Sequence, residues 1–328
     1  MVLKQYEIKK YDQTYSSLWN NFVADAKNGT FLFHRDFMEY HSDRFEDCSL
    51  LVLDEKDKLV AILPANKVGG ELFSHQGLTY GGLIYKDNLK LETVINVFHD
   101  VLKFLNDIGF EKITIKCIPS IYHVKPADET LYVLFLLEAQ LIRRDSLAVI
   151  DLEKGYTISK GRIEGVSKGI KNELKIVEES NFEKFWNSIL IPNLNEKHNA
   201  LPVHSLKEIE YLCSKFPKNI RQFNVYKNGE IVAGTTIFES HQVAHAQYIS
   251  ANSSKNELGS LDYLYYNLIT NVFKDKKFLD FGISNENNGK TLNSGLSFWK
   301  ESFGASAIIQ DFYEVEVSKY NNLQNVLK

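Results

Sequence analysis

The order of strand-like and helix-like segments in this chain runs through once and then again, and that duplication constrains the fold more than any single motif. In the first pass a β-rich run at 48–54 turns at 55–57 into a second run at 58–67. In the second pass a run at 220–227 meets Asn228-Gly229 and returns over 230–239. Asn-Gly between apolar runs predicts a tight hairpin, because both turn positions need a positive φ. Each pass continues with a strand-like segment and an amphipathic helix. The first helix is read at 89–107, with Leu91, Val94, Ile95, Phe98, Val101, Leu102 and Leu105 at helical spacing. The second is read at 260–274, with Leu261, Leu264, Tyr265, Leu268, Ile269, Val272 and Phe273. Strands at 112–117 and 278–283 follow, then helices at 127–139 and 291–303, then closing strands at 142–152 and 307–317. The residue types do not match between the two passes; the order of elements does. A chain of 328 residues suits two domains of ordinary size. Polar residues and Gly155 place the join at 153–159, giving halves 1–153 and 154–328.

Charge and cysteine usage remove several classes. A net charge of -4 supplies no overall field for nucleic acid, and no DNA partner is expected. Cys48, Cys117 and Cys213 are far apart and form no CxxC pair, which argues against a disulfide framework or a structural zinc site. The first residues, MVLKQYEIKK, hold no apolar core of a signal peptide. The longest apolar stretches, such as 131–137, are too short to span a bilayer. A cytoplasmic protein without a membrane span is the expectation. His241 and His245 have the four-residue spacing of helical zinc ligands but lie in a strand-like run, where four residues span roughly 13 Å. No metal is expected, and no HExxH, P-loop, GxGxxG or GxSxG motif is present.

Four segments carry a family resemblance. Ser159-Lys160-Gly161-Arg162 leads into a basic segment with Lys168 and Lys171. Phe278-Leu279-Asp280-Phe281-Gly282-Ile283-Ser284 is similar to a "DFGG" strand. The stretch 295–304, GLSFWKESFG, is similar to a "GLxxFKxxFG" helix. His75-Gln76-Gly77-Leu78-Thr79-Tyr80-Gly81-Gly82 forms a glycine-rich loop. Together with the element order they resemble the Fem peptidyltransferases and their GNAT acetyltransferase relatives. The resemblance implies a mixed α/β fold of two GNAT-like domains in tandem, the first on the acceptor side and the second on the donor side. It implies an acyltransferase of the bacterial cell envelope or surface polysaccharide. Such an enzyme moves an acyl group from acetyl-CoA or another acyl-CoA to an amine or hydroxyl of a small or nucleotide-linked acceptor. An aminoacyl-tRNA donor serving a peptidoglycan precursor is the alternative, although the long helical arm of many such enzymes is missing. A tandem domain that binds a ligand without turnover is a third reading.

Residue by residue, the donor segment is 249–261, with Ser250, Ala251, Asn256, Gly259, Ser260 and Leu261. Free N–H groups and the positive end of a helix favour phosphate there; an ordinary helix start capped by Ser260 explains the same residues. Asp262, just inside the helix, favours the dipole but not a phosphate. Lys300 is the residue the resemblance marks for stabilising an oxyanion or binding phosphate, with Trp299 as its neighbour and the loop from Ser284 to Asn293 leading into its helix. His75 is read as a proton acceptor. Tyr80, Gly77, Gly81 and Gly82 are read as lining an acceptor site, or else as parts of a connecting turn. Arg162 suits the phosphates of a nucleotide-linked acceptor, or else a solvated helix face. His34, at a helix start beside an aromatic run, is a further acceptor candidate.

Overall fold

The computed structural model describes residues 5–327. Its strands, in chain order, are β1 (Glu7–Lys10), β2 (Glu46–Asp47), β3 (Leu50–Leu53), β4 (Leu59–Leu63), β5 (Asn66–Val68), β6 (Glu71–Phe73), β7 (Ile84–Tyr85), β8 (Lys112–Lys116), β9 (Gln140–Asp151), β10 (Lys175–Glu179), β11 (Ile220–Lys227), β12 (Glu230–Glu239), β13 (Val243–Ala251), β14 (Phe278–Ile283), β15 (Asn285–Glu286), β16 (Thr291–Leu292) and β17 (Ser306–Glu316). The helices are α1 (Ser16–Asp25), α2 (Arg35–Met38), α3 (Leu91–Asp107), α4 (Glu129–Leu136), α5 (Lys160–Lys171), α6 (Glu183–Phe185), α7 (Ile191–His198), α8 (Leu206–Lys215), α9 (Lys255–Leu258), α10 (Ser260–Asn267) and α11 (Ser294–Glu301). Two compact units emerge. One runs up to Asp145 and takes back the segment from Ile309 onward; the other is Ser146–Ile308. The division falls inside β9 and β17, whereas the sequence reading ran each half as one continuous stretch.

In the first unit, β1, β3, β4 and β7 form one antiparallel sheet. The stretch read as one strand at 58–67 is two: β4 joins that sheet, and β5 pairs with β6 in another. There β6 runs parallel to β8, and β8 pairs antiparallel with Phe312–Glu316 of β17. The apolar stripe of α3 covers this core: Val94, Val97, Val101, Leu102 and Leu105 are buried with Leu50, Val52, Ile113, Ile115, Val315 and Val317. Burying each such side chain contributes about 1.5–3 kcal/mol.

In the second unit the sheet order is β10-β11-β12-β13-β14, with the end of β9 beyond β14. Asn228 and Gly229 have φ of 52° and 85°, making the expected hairpin between β11 and β12. Helix α10 continues through Val272 in a wider π-type turn. Its Leu264, Tyr265, Leu268 and Ile269 pack on Ala244, Ala246, Leu279 and Phe281. Two irregularities shape this sheet. Gln247 is an extra residue in β13 opposite the Thr236/Ile237 step. The parallel pairing of β13 with β14 ends at His245↔Asp280, while β13 runs on to Ala251, so the strands part there. The segment read as one helix at 291–303 is a small β15–β16 hairpin followed by the shorter α11, capped by the Asn293 side chain. Asn287, Asn288 and Gly289 all have positive φ, and that turn stops any helix from starting earlier.

Candidate functional site

Where β13 ends and α10 begins, the second unit holds a cavity of about 450 Å³. Ile249, Ser250 and Ala251 form its floor, and Lys255, Asn256, Leu261 and Asp262 one wall. Arg162 of α5, Leu190, Asn193, Leu194 and Lys197 around α7, and Asn293, Gly295, Leu296 and Trp299 at α11 complete it. The structure thus brings together Ser250, Ala251, Asn256, Leu261, Arg162, Asn293 and Trp299 from segments the sequence singled out separately. Asn193 and Lys197 were not anticipated. Asn193 braces the floor, its Nδ2 donating to Ser250 Oγ at 2.8 Å and to the Ala251 carbonyl at 2.6 Å. Pro192 lies inside a helical run that continues from Glu183 to His198 through a π-type turn at Trp186–Leu190, so it marks no helix start.

Asp262 lies at the centre of the charged wall. Its Oδ1 accepts from Arg162 Nη1 at 2.7 Å and from Trp299 Nε1 at 3.3 Å. Burial pushes this carboxyl up, and the Arg162 guanidinium pulls it the other way. Trp299 is held edge-to-face against Tyr265, Phe281 and Phe303, leaving its indole N–H for the carboxylate. Lys197 and Lys255 carry no ion pair among the described residues.

The helix end meant for a diphosphate is closed from behind. Gly259 has φ +67°, and a Cβ on it would lie 2.0 Å from the Gly165 carbonyl oxygen of α5. A Cβ on Gly165 would in turn lie 1.9 Å from Asp262 Oδ2. Ser260 is fully buried. Gly259 is therefore glycine because a neighbouring helix passes at backbone distance. The first turn of α10 already holds an internal carboxylate. These residues do not fit the diphosphate of coenzyme A at the start of α10.

Lys300 does not line the cavity. It is 2% exposed, and its Nζ donates to the carbonyls of Gly282 at 3.0 Å and Ile283 at 2.6 Å. The cause is the bend in β14. Gly282, at φ +69°, breaks the ladder to β9 between Asp280 and Ile283, and the lysine serves the carbonyls there. Burial lowers Lys300 to about 8, against the attraction of Asp280. Asp280 is fully buried, accepts from Gly282 N at 2.7 Å, and shares a 2.9 Å hydrogen bond with His245 Nδ1. Ser284 is buried in the same bend, its carbonyl accepting from Asn293 N at 2.9 Å.

In the first unit the glycine-rich loop folds inward. His75 is buried at φ +65°, stacked 5.1 Å from the ring of His41, and burial pushes it down to about 3. Gly77 is pressed on His41, where a Cβ would meet Nε2 at 2.2 Å; a Cβ on Gly81 would meet the Ser74 carbonyl at 1.9 Å. Tyr80 is buried, donating to Thr30 Oγ1 at 3.2 Å. Gly81 and Gly82 border a space of only about 30 Å³, roughly one water. His34 caps α2, accepting from Asp36 N. The loop read as an acceptor platform is packed as core because its glycines admit neighbouring side chains and carbonyls.

No family model matches the sequence, and no curated protein matches it. Solved structures do match. FemX is similar over 97% of this chain and 99% of its own, at TM-score 0.66 and 10% identity. The C-terminal domain of a putative lysylphosphatidylglycerol synthetase from Agrobacterium fabrum is similar over 92% of this chain and 91% of its own, at 0.59 and 11% identity. L-PGS from Bacillus licheniformis gives the same coverage and TM-score at 14% identity. At such identities the likeness is one of fold. The chain has the mixed α/β, tandem GNAT-like fold of the Fem kind. Among the described residues no helix is long and apolar enough to cross a membrane.

Proposed function

We propose that the protein is an enzyme that transfers an acyl or aminoacyl group, and that the reactive end of the donor enters the cavity of the second unit. The observation that carries this is the convergence on one space of about 450 Å³ of the β13 end, the α10 start, Arg162, the α11 cap Asn293 and the motif residue Trp299. A concave site that mixes polar and charged groups with apolar side chains suits a small reacting group on a charged carrier. The cationic rim of Arg162, Lys197 and Lys255 suits an anionic carrier. The likeness to FemX and to a synthetase whose name describes a lysyl group on a phospholipid agrees with such chemistry.

The closed start of α10 favours an aminoacyl donor over acyl-CoA. The acceptor is read as an amine or hydroxyl of a small or nucleotide-linked molecule. Acetyl-CoA and aminoacyl-tRNA, each labelled in the transferred group, are to be incubated with the protein and a panel of amines and sugar nucleotides. Transfer from aminoacyl-tRNA is expected. Transfer from acetyl-CoA alone keeps the acyltransferase and overturns the donor. Transfer from neither, with phosphate or nucleotide still bound, leaves a binding domain without turnover.

A further inference from the structure

Two polar residues that do not line the cavity stand together where β13 and β14 part. Asp280 lies between Leu279 and Phe281, which pack on α10, so its side chain leaves the sheet on the other face. His245 lies between Ala244 and Ala246, which pack on α10 too, and it shares that opposite face. The two form the last rung of the parallel pairing, and His245 Nδ1 meets Asp280 Oδ2 at 2.9 Å. Asp280 is fully buried, and its other oxygen accepts from Gly282 N at 2.7 Å. A carboxylate fixed on Nδ1 sets the tautomer: the neutral ring carries its proton there, and the lone pair falls on Nε2. Cε1 faces Gly282, a Cβ on which would lie 3.4 Å away, so the edge left over is Nε2–Cδ2. The His245 side chain is 12% exposed. Its Nε2 has no hydrogen-bond partner among the described residues and, unlike Arg162 Nε, is not shielded. Past this rung β13 runs on without β14 beside it, down to the cavity floor at 249–251. His245 therefore stands at the apex of a fork whose open end is the cavity.

We propose that His245 is the proton-transfer residue of this enzyme, with Asp280 as its positioning residue; this rests on the transferase reading above. The acceptor's amine or hydroxyl gives its proton to Nε2 as its lone pair attacks the acyl carbon, forming the new C–N or C–O bond. When the tetrahedral centre collapses, the bond from that carbon to the carrier oxygen breaks, and Nε2 returns the proton to that oxygen. No further reactant is needed. Four residues of a strand span roughly 13 Å, so the acyl end of a donor held in the cavity must extend along the fork to reach His245. The role does not fall to His75 or to Lys300. His75 is packed in the core of the first unit, and Lys300 Nζ is occupied by the carbonyls of Gly282 and Ile283.

Two measurements use the unaltered full chain. Nitrogen-15 NMR of the histidine-labelled protein is expected to show the neutral His245 ring as its Nδ1–H tautomer, and Asp280→Asn is expected to reverse it. Diethyl pyrocarbonate, which acylates a bare imidazole nitrogen, is expected to modify His245 on peptide mass mapping. The third measurement is transfer from labelled aminoacyl-tRNA, or from acetyl-CoA if that is the donor used. His245→Gln is expected to lower kcat by about 10²–10⁴-fold with KM nearly unchanged. Added imidazole should restore part of the rate in His245→Ala, and the exposed His241→Ala should match the unaltered chain. Thermal unfolding checks the fold of each variant; if His245→Gln does not fold, the first two measurements still decide. An Nε2–H tautomer, a His245 inert to the reagent, or full kcat in His245→Gln overturns the proposal and leaves the transferase standing. An unaltered chain that transfers from neither donor removes the transferase, and the proton-transfer role with it.

Discussion

Two buried side chains, His75 and Lys300, hold ionisable groups in surroundings that prefer them neutral, and each leads to a measurement. His75 is held down at about 3 by burial, so the unfolded chain binds its proton first. The sign follows: its contribution is intact above pH 6.5 and is lost as pH falls toward 3. At pH 5 the loss is about 2 kcal/mol. In His75→Asn, whose side chain tolerates the left-handed backbone, the acid limb should flatten by that amount. Urea unfolding at pH 7 and pH 5 checks it, and equal slopes in both proteins would remove His75 from the acid response. Lys300→Ala leaves the buried carbonyls of Gly282 and Ile283 without their charged donor, and is expected to lower stability by about 1–3 kcal/mol. A residue acting only on a reacting group would leave the unfolding midpoint where it was. Neither environment was legible in the sequence. His75 reads as a loop histidine among glycines, and nothing local reveals that His41 closes over it. Lys300 reads as a helix lysine in a known motif, and the carbonyls it serves exist only because Gly282 bends a strand 18 positions earlier. Arg162 reads as a basic residue on a helix face; its partner Asp262 lies 100 positions away, and that pairing is a property of packing.

At the scale of elements, the seam between α5 and α10 explains why a helix carries so many glycines. Gly161 and Gly165 sit four residues apart in α5 yet face different surroundings. A Cβ on Gly165 collides with Asp262, while one on Gly161 meets nothing within 4 Å. Gly165→Ala should therefore destabilise the second unit by about 1–3 kcal/mol, the usual scale of overpacking. Gly161→Ala should stabilise it by about 0.4–1 kcal/mol by restricting the unfolded chain. Thermal unfolding of the pair tests this, and shifts of the same sign would contradict the seam. The periodic helices and the Asn-Gly hairpin were legible because their signals are local. The β15–β16 hairpin was legible too, in Asn287-Asn288-Gly289, but the helical motif beside it drew the boundary too early. The split of 58–67 between two sheets was not legible, since both pieces are equally apolar and their partners decide.

For the whole molecule, the informative strand is β17. It pairs with β8, and Val315, Val317 and Leu323 sit in the core beneath α3. A chain ending at Ile308 should lose amide-exchange protection over β8 and α3 while keeping it over β11, β12 and β13. Loss confined to the second unit would contradict the division of the chain. The order of the two passes through the fold was readable from the sequence. The return of the last segment to the first unit was not, because strands of similar composition give no address.

That return sets a timetable. A chain emerging from the ribosome delivers the residues up to Asp145 ahead of the second unit, yet their sheet lacks β17 until Phe312–Glu316 has followed. Every strand of the second unit's sheet is available sooner. The part made first is thus the last to become whole, and until then β8 presents an unpaired edge of the kind that invites wrong partners.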